Sequence, residues 1–330
     1  MAVFQVKTHA KPAQPVAEFG ELTLVEAKLQ EIAEKAQGII RDACLNLINS
    51  GGKRIRPLLT LTSGMCFGPI NTEMIGGAVA AELIHMASLI HDDIIDNSAI
   101  RRGQATVNSQ HGSKVAVLAG DYLFAEAFNI LSSYRMLESM TYLVEAIKEM
   151  CQGEVNQAGE LFQLTLTIEN YFQRIAQKTG ILLAACCKSG ASAAGASSTQ
   201  IETMGLYGLN LGYAYQIVDD ILDLCGDESE LGKPVGLDIR SGNITLPVIY
   251  LLQNPVYSEW TKELITSEEI THSTIGHLRE VLVKSGCISQ SYALAAQCIE
   301  NAKKSLAEVP SSRFKMILLT LADRVLARHA

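Results

Sequence analysis

Disulfide and zinc signatures are missing from this sequence. Its eight cysteines include no Cys-x-x-Cys pair and no metal-ligand spacing, so they are expected to be reduced core thiols. Aromatic residues are scarce at 6%, and no alternating apolar–polar run of useful length occurs, which argues against a sheet-rich fold. Positive charge is not in excess: 27 Lys and Arg stand against 35 Asp and Glu, a net charge of −8. A general nucleic-acid surface is therefore not expected. No apolar run reaches the roughly 18–20 residues of a membrane span. No positively charged start precedes an apolar core either. A cytoplasmic protein is the expectation.

What the chain does have is helical periodicity. Of 330 residues 48% are hydrophobic and 19% charged, a globular balance rich in Ala, Leu and Ile. Residues 1–20 carry Pro12 and Pro15 and little periodicity, and are read as a flexible N-terminal arm. From Leu22 the pattern turns helical: Leu24, Ala27, Leu29, Ile32 and Ala33, then Ile39, Ile40, Ala43, Leu45 and Ile48, up to a stop at Gly51-Gly52. A helix is expected after Pro57, another from about Asn71 to Ile95, and more over about 115–132, 135–164, 169–189, 197–225, 245–253, 267–285, 289–307 and 311–328. Gly190–Ser198 reads as a connector. No composition shift marks a second domain, so residues 21–330 are read as one all-α domain, a large helical bundle.

Two acidic clusters of one form, DDxxD, punctuate that bundle. The first is Asp92-Asp93-Ile94-Ile95-Asp96; the second, 127 residues later (219 − 92), is Asp219-Asp220-Ile221-Leu222-Asp223. On a helix, positions i and i+4 share a face, so Asp92 pairs with Asp96 and Asp219 with Asp223. Asp93 and Asp220 lie about 100° away and suit a supporting role. The setting is apolar, with Ile90, Ile217, Val218 and Ile221 close by, and carboxylates are rarely buried without a partner. Hard divalent cations resolve such repulsion, and Mg²⁺ suits carboxylates that leave sites free for phosphate oxygens. A diphosphate or similar polyanion is the expected ligand.

Cations recur beside the acids. Gly51-Gly52-Lys53-Arg54-Ile55-Arg56-Pro57 is a turn feeding a helix, with Lys53 and Arg56 on one face. Freed backbone N–H groups there can also bind phosphate. Arg101-Arg102-Gly103 follows the first acidic cluster. Lys178-Thr179-Gly180 and Gly232-Lys233-Pro234 add cations near expected helix ends. Two groups of cations suggest two polyanions, one held through metal and one held directly by Lys and Arg.

At this point the sequence resembles the trans-polyprenyl diphosphate synthase family. GGKRIRP, HMASLIHDDIIDNSAIRRG, GEVNQ, KTG and YQIVDDILDLCGDESELGKPVGLDIRSGNITLP occur in that family's order, and the resemblance spans about Ala27 to Leu326. ELIHMASLIHDDIID is similar to the catalytic component of bacterial heptaprenyl diphosphate synthases. The resemblance implies an isoprenoid synthase fold around a central apolar cavity. It implies that Asp92, Asp96, Asp219 and Asp223 hold Mg²⁺, three ions with bound diphosphate, with Asp93 and Asp220 supporting. Arg101, Lys178, Gln216 and Lys233 would contact the allylic diphosphate. Gly52, Lys53, Arg56, His85 and Arg102 would hold isopentenyl diphosphate, and Thr179 would lie near the reacting carbons. It further implies a homodimer, or a heterodimer with a small partner, peripheral membrane contact at most, and a product destined for a quinone side chain such as that of menaquinone.

The helix before Asp92 also bears on product length. Its stripe runs through Ala87/Ser88, Ile84, Ala80/Ala81 and Gly76/Gly77, all small except Ile84. Asp92 to Gly76 is 92 − 76 = 16 residues, roughly 24 Å of helix. That corridor would hold about five isoprene units at roughly 4–5 Å each, which points to a product of about C30 to C40. C35 is favoured by the resemblance. A shorter-chain farnesyl or geranylgeranyl synthase is the alternative, and close helix packing is the plainer explanation of the small residues. Three other readings compete. A non-catalytic partner subunit would be expected to have lost an acidic cluster. An HD-type phosphohydrolase using His91, Asp92 and His85 would need further histidines. A terpene cyclase usually carries an Asn/Ser/Glu motif where this chain has its second DDxxD.

Overall fold

The structure, a computed structural model, describes residues 19–226, 234–267 and 270–327. Of the expected arm only Phe19 and Gly20 are described; the rest of it, and Lys233, lie outside the described residues. The architecture is all-α. Helices α1 (Leu22–Lys35), α2 (Gly38–Asn49), α3 (Ile55–Met65) and α4 (Thr72–Ile95) lead to a minimal hairpin, β1 (Ile100–Arg101) and β2 (Gln104–Ala105). There follow α5 (Val107–His111), α6 (Ser113–Ser133), α7 (Leu137–Gly159) and α8 (Ile168–Ile175). A π-helical turn over Ala176–Gly180 joins α8 to α9 (Ile181–Ala193). Then come α10 (Ser198–Cys225), α11 (Leu237–Arg240), α12 (Leu246–Gln253), α13 (Ser258–Ile265), α14 (His272–Lys284), α15 (Cys287–Ser305) and α16 (Arg313–Leu326).

The two helices that carry the acidic clusters begin on side-chain caps. Asn71 Oδ1 accepts from Met74 N at 2.7 Å at the start of α4. Ser197 and Gln200 form a reciprocal capping box at the start of α10. Both helices are buried along most of their length in one continuous apolar core, with Leu83, Ile84, Ile217 and Ile221 fully enclosed. Helix α4 packs on α3, α6 and α9, and α10 packs on α9 and α15. Tyr207 donates to Leu318 O at 2.7 Å, tying α10 to α16.

Several boundaries differ from the sequence expectation. The run from Leu22 to Asn49 is two helices, broken where Ala36 and Gln37 are extended and Gly38 takes φ +56. The apolar spacing continues across that break, so periodicity alone conceals it. Helix α3 begins at Ile55, before Pro57, which sits in a first turn where a missing N–H costs nothing. The connector after α9 is shorter than expected, since α9 runs to Ala193. The short helices α5, α11 and α13 carried too few apolar positions to show a period. Seven cysteines are buried thiols, as expected, but Cys151 is exposed.

Two helices, Thr72–Ile95 and Ser113–Ser133, are long and apolar enough to cross a membrane by length and composition, contrary to the sequence expectation. Their few charges interrupt any continuous run without lowering the mean hydropathy of an 18-residue window. In α4 that window is 72% buried inside the molecule, in α6 only 39%.

Candidate active site

Each acidic cluster occupies the last turns of its helix, α4 ending at Ile95 and α10 at Cys225. Helix C-termini carry a partial negative charge and favour cations. Neither helix has a basic residue in its last turn. The acids therefore add like charge to like dipole, and their position is unfavourable unless a cation is supplied.

They line a cavity of about 520 Å³. Seven carboxylates reach it: Asp92 and Asp96 from α4, Glu154 from α7, Asp219, Asp220 and Asp223 from α10, and Asp238 from α11. Among the described residues the cations on its wall are Arg101 and Lys178. Burial, then Glu154 and Asp96, push the Asp92 carboxyl up to about 6. Burial and then Asp238 push Asp220 up as well. Carboxyls that resist ionisation in the bare site gain most from an added cation. No three of these groups among the described residues already form a closed metal cage. Such a distribution fits Mg²⁺ shared between protein carboxylates and a ligand's phosphate oxygens.

The middle aspartates have other tasks. Asp93 is buried, lines neither this cavity nor its neighbour, and accepts from Arg101 Nε at 2.8 Å. It holds a cation whose guanidinium faces the cavity. Asp220 accepts from Tyr171 OH at 2.7 Å and from Gln216 Nε2 at 2.8 Å. Thr179 Oγ1 donates in turn to Gln216 Oε1 at 2.7 Å. Asp223 Oδ2 accepts from Asp238 N at 3.2 Å, so α11 is fastened to the end of α10. Asn243 Nδ2 donates to Asp238 Oδ1 at 3.0 Å.

Lys178 and Thr179 lie within the π turn, not at a helix end as expected. One extra residue in a helical turn shifts the face that follows, and π turns often mark functional sites. Here Lys178 faces the acidic cavity, and Thr179 faces a second one. The turn sits against α10 because Gly212 has no side chain; a Cβ there would stand 2.5 Å from Gly180 Cα.

That second cavity, about 700 Å³, is basic. Gly52, Lys53, Arg54 and Arg56 line one side, with Arg102, His85 and Glu82. The first cavity and the second share Gln216 and Asp219 as a common wall. Arg56 Nε is buried with no hydrogen-bond partner, and burial lowers the guanidinium's pKa. Burial, then Arg56 and Arg102, hold the His85 imidazole well below its usual range, so it is neutral. Arg102 Nη1 donates to Gly51 O across the loop. Arg101 and Arg102 belong to the two-residue hairpin, an element too short to leave a period in the sequence.

Glu154, Asp238, Arg54 and Glu82 were not singled out from sequence. Glu154 and Asp238 stand inside GEVNQ and GLDIRSGNITLP, so a signal was present without an assigned role. His91 turns away from both cavities: its Nε2 is 3.2 Å from Val117 O, and its ring packs on Phe124. That orientation removes the imidazole an HD-type hydrolase would require. In the stripe below Asp92, Ala81, Ile84 and Ala87 are fully buried. Ser88 is half-buried and donates to His85 O at 2.9 Å. None of the four lines either cavity. At the far end a Cβ on Gly76 would stand 2.7 Å from the Tyr134 ring, and one on Gly77 2.7 Å from Ser189 Oγ. Close packing thus accounts for the two glycines.

The family model described as polyprenyl synthetase matches residues 37–282. Heptaprenyl diphosphate synthase component 2 of Bacillus subtilis is 35% identical over 306 residues, 92% of this chain and 87% of that protein. A short chain isoprenyl diphosphate synthase of Methanothermobacter thermautotrophicus is 36% identical over 288 residues, 86% of this chain and 89% of that protein. The crystal structure of a polyprenyl synthase from Caulobacter crescentus, complexed with calcium and isoprenyl diphosphate, superposes with a TM-score of 0.87 at 34% identity, covering 97% of this chain and 100% of that one.

Proposed function

Since the chain belongs to the polyprenyl synthetase family, whose members are prenyltransferases, we propose that it condenses isopentenyl diphosphate with an allylic diphosphate in a Mg²⁺-dependent reaction. The observation that carries this reading is the pair of cavities, one acidic and one basic, that meet at Gln216 and Asp219. A metal-held diphosphate suits the first. A diphosphate held directly by cations suits the second, where Arg56 Nε lacks a partner. The relative crystallised with calcium and isoprenyl diphosphate supports a divalent cation beside such a ligand.

Asp92, Asp96, Asp219 and Asp223 would hold Mg²⁺, which supplies positive charge to the diphosphate as it leaves. Arg101 and Lys178 reach the same cavity and stabilise charge on the leaving oxygens. Lys53, Arg56, Arg102 and neutral His85 fix the second diphosphate, with Gly52 leaving room for its approach. The allylic carbon–oxygen bond breaks, and its electron pair departs with the diphosphate. The double bond of isopentenyl diphosphate then attacks the allylic cation, and loss of a proton to the departed diphosphate completes a chain five carbons longer. Thr179, on the second cavity, would lie near the reacting carbons, and Gln216, on the shared wall, would contact the allylic diphosphate. Lys233 is proposed as a further cation on the allylic diphosphate.

The product is proposed to be of medium to long chain, about C30 to C40, from the roughly 24 Å of small-residue helix below Asp92. Ala81, Ile84, Ala87 and Ser88 would border the tail. The chain is proposed to act as a homodimer through α6 and α7, where Val117, Leu118, Leu137 and Val144 are exposed apolar residues. The word "component" in the Bacillus relative's name favours one second arrangement, a heterodimer with a small subunit.

The two-cavity reading is tested by opposed substitutions. Asp219 is shared, so Arg101 and Lys53 are the better probes. Arg101→Ala is expected to raise KM for the allylic substrate at least about tenfold, and Lys53→Ala to do the same for isopentenyl diphosphate. Equal effects of both variants on both substrates would contradict the assignment.

A further inference from the structure

We infer that Arg54 is a positioning residue for the basic cavity: a buried guanidinium that binds no substrate itself and aims Lys53 and Arg56. The inference rests on the reading of that cavity as the isopentenyl diphosphate site. Arg54 lies between the two proposed ligands in sequence, yet its side chain is spoken for. Its Nε donates to Glu26 Oε1 at 2.5 Å, Nη1 to Glu82 Oε1 at 2.9 Å, and Nη2 to Glu26 Oε2 at 3.2 Å and to Ile48 O at 2.9 Å. Four of the five N–H groups of a guanidinium are thus engaged. The residue is 7% exposed.

The partners come from three elements. Glu26 stands on α1, Ile48 on α2 and Glu82 on α4. One side chain therefore pins the loop at residues 51–54 to three helices at once. Glu82 is one helical turn from His85 on the same face of α4, and both line the cavity. The clamp consequently fixes the loop relative to the wall that carries the proposed imidazole ligand.

The backbone points the same way. Arg54 is the N-cap of α3 and takes φ 43, ψ 38, a left-handed conformation that non-glycine residues rarely adopt. Such a conformation persists where surrounding contacts over-determine it. Gly52 packs closely beside it: a Cβ there would stand 3.2 Å from Arg54 Nη1 and 3.2 Å from Arg102 Nη1. The turn from Lys53 to Arg56 is thereby set so that both cations line one cavity. Charge explains why a neutralised arginine is used. Four cations line this cavity, and an anion would be drawn to any of them. Pairing Arg54 with Glu26 and Glu82 leaves it rigid and electrically satisfied. Lysine could not copy the arrangement, because an ammonium lacks the planar fork that reaches two carboxylates and a carbonyl together.

The test uses the full chain as wild type and as R54K, E82Q and E26Q. Binding of inorganic diphosphate in EDTA is measured by calorimetry, and KM for each substrate by steady-state assay with Mg²⁺. R54K and E82Q should weaken metal-free diphosphate binding, and raise KM for isopentenyl diphosphate, at least about tenfold, with KM for the allylic substrate within about twofold. E26Q, which loses a partner that is 42% exposed, should move the same two quantities in the same direction by a smaller factor. It keeps the test open should R54K fail to fold. Unchanged isopentenyl KM, or an equal rise in both KM values, overturns the clamp. A wild-type chain that elongates nothing while R54K loses metal-free diphosphate binding would sink the catalytic reading and leave the clamp standing.

Discussion

Asp92 shows how a residue's place in its helix becomes a requirement for a ligand. It lies in a helix C-terminal turn, beside Asp96 and Glu154, with its carboxyl pushed from 3.8 up to about 6. Between those two values the unfolded chain has lost this proton and the folded chain keeps it. The raised pKa therefore contributes stability that is fully present below pH 3.8 and lost as pH rises through about 6. Asp220, raised by burial and by Asp238, acts in the same direction. Without metal, the melting temperature is expected to fall as pH is raised from about 5 to about 7, and Mg²⁺ with diphosphate should remove that fall. Scanning calorimetry with and without the two ligands checks this. A fall of the same size in both conditions would mean that these carboxyls are not where the ligands bind.

At the scale of elements, α4 does two jobs, presenting Asp92 and Asp96 at its end and walling the core below them. Ala87→Phe is expected to shorten the product distribution by at least one five-carbon unit, as measured by chromatography of the dephosphorylated products. Overpacking costs about 1–3 kcal/mol, so a melting curve should accompany the assay. An unchanged product length would contradict the tunnel. The faces of α4 and α10 were legible in the sequence because i, i+4 spacing is a local rule, and the acids obey it. The π turn was not legible: one inserted residue between α8 and α9 leaves an apolar period intact on both sides. Neither were the partners of the buried polar groups. Tyr171 and Asp220 are 49 residues apart, and Arg54 and Glu82 are 28 apart. Nothing local in a sequence pairs them. The expected helix face shared by Lys53 and Arg56 does not exist either: α3 begins at Ile55 after the left-handed Arg54, so Lys53 lies outside it, and both cations reach one cavity through the turn instead.

For the molecule as a whole, two observations bear on assembly. Helix α6 is long and apolar but its apolar window is only 39% buried, and α7 beside it exposes Leu137 and Val144. A homodimer across this face would bury them. Light scattering of the purified chain is expected to give twice the 35.7 kDa chain mass, and Leu118→Glu with Val144→Glu should shift it to monomer. A monomeric wild type would instead favour the heterodimer. In the proposed function two cavities sharing one wall bring two diphosphates together to join carbon to carbon. Incubating the purified chain with farnesyl diphosphate, labelled isopentenyl diphosphate and Mg²⁺, then sizing the products, tests this joining. Labelled all-trans polyprenyl diphosphate of about C30 to C40 is the predicted result. Release of diphosphate or phosphate with no label carried into a longer chain would contradict it.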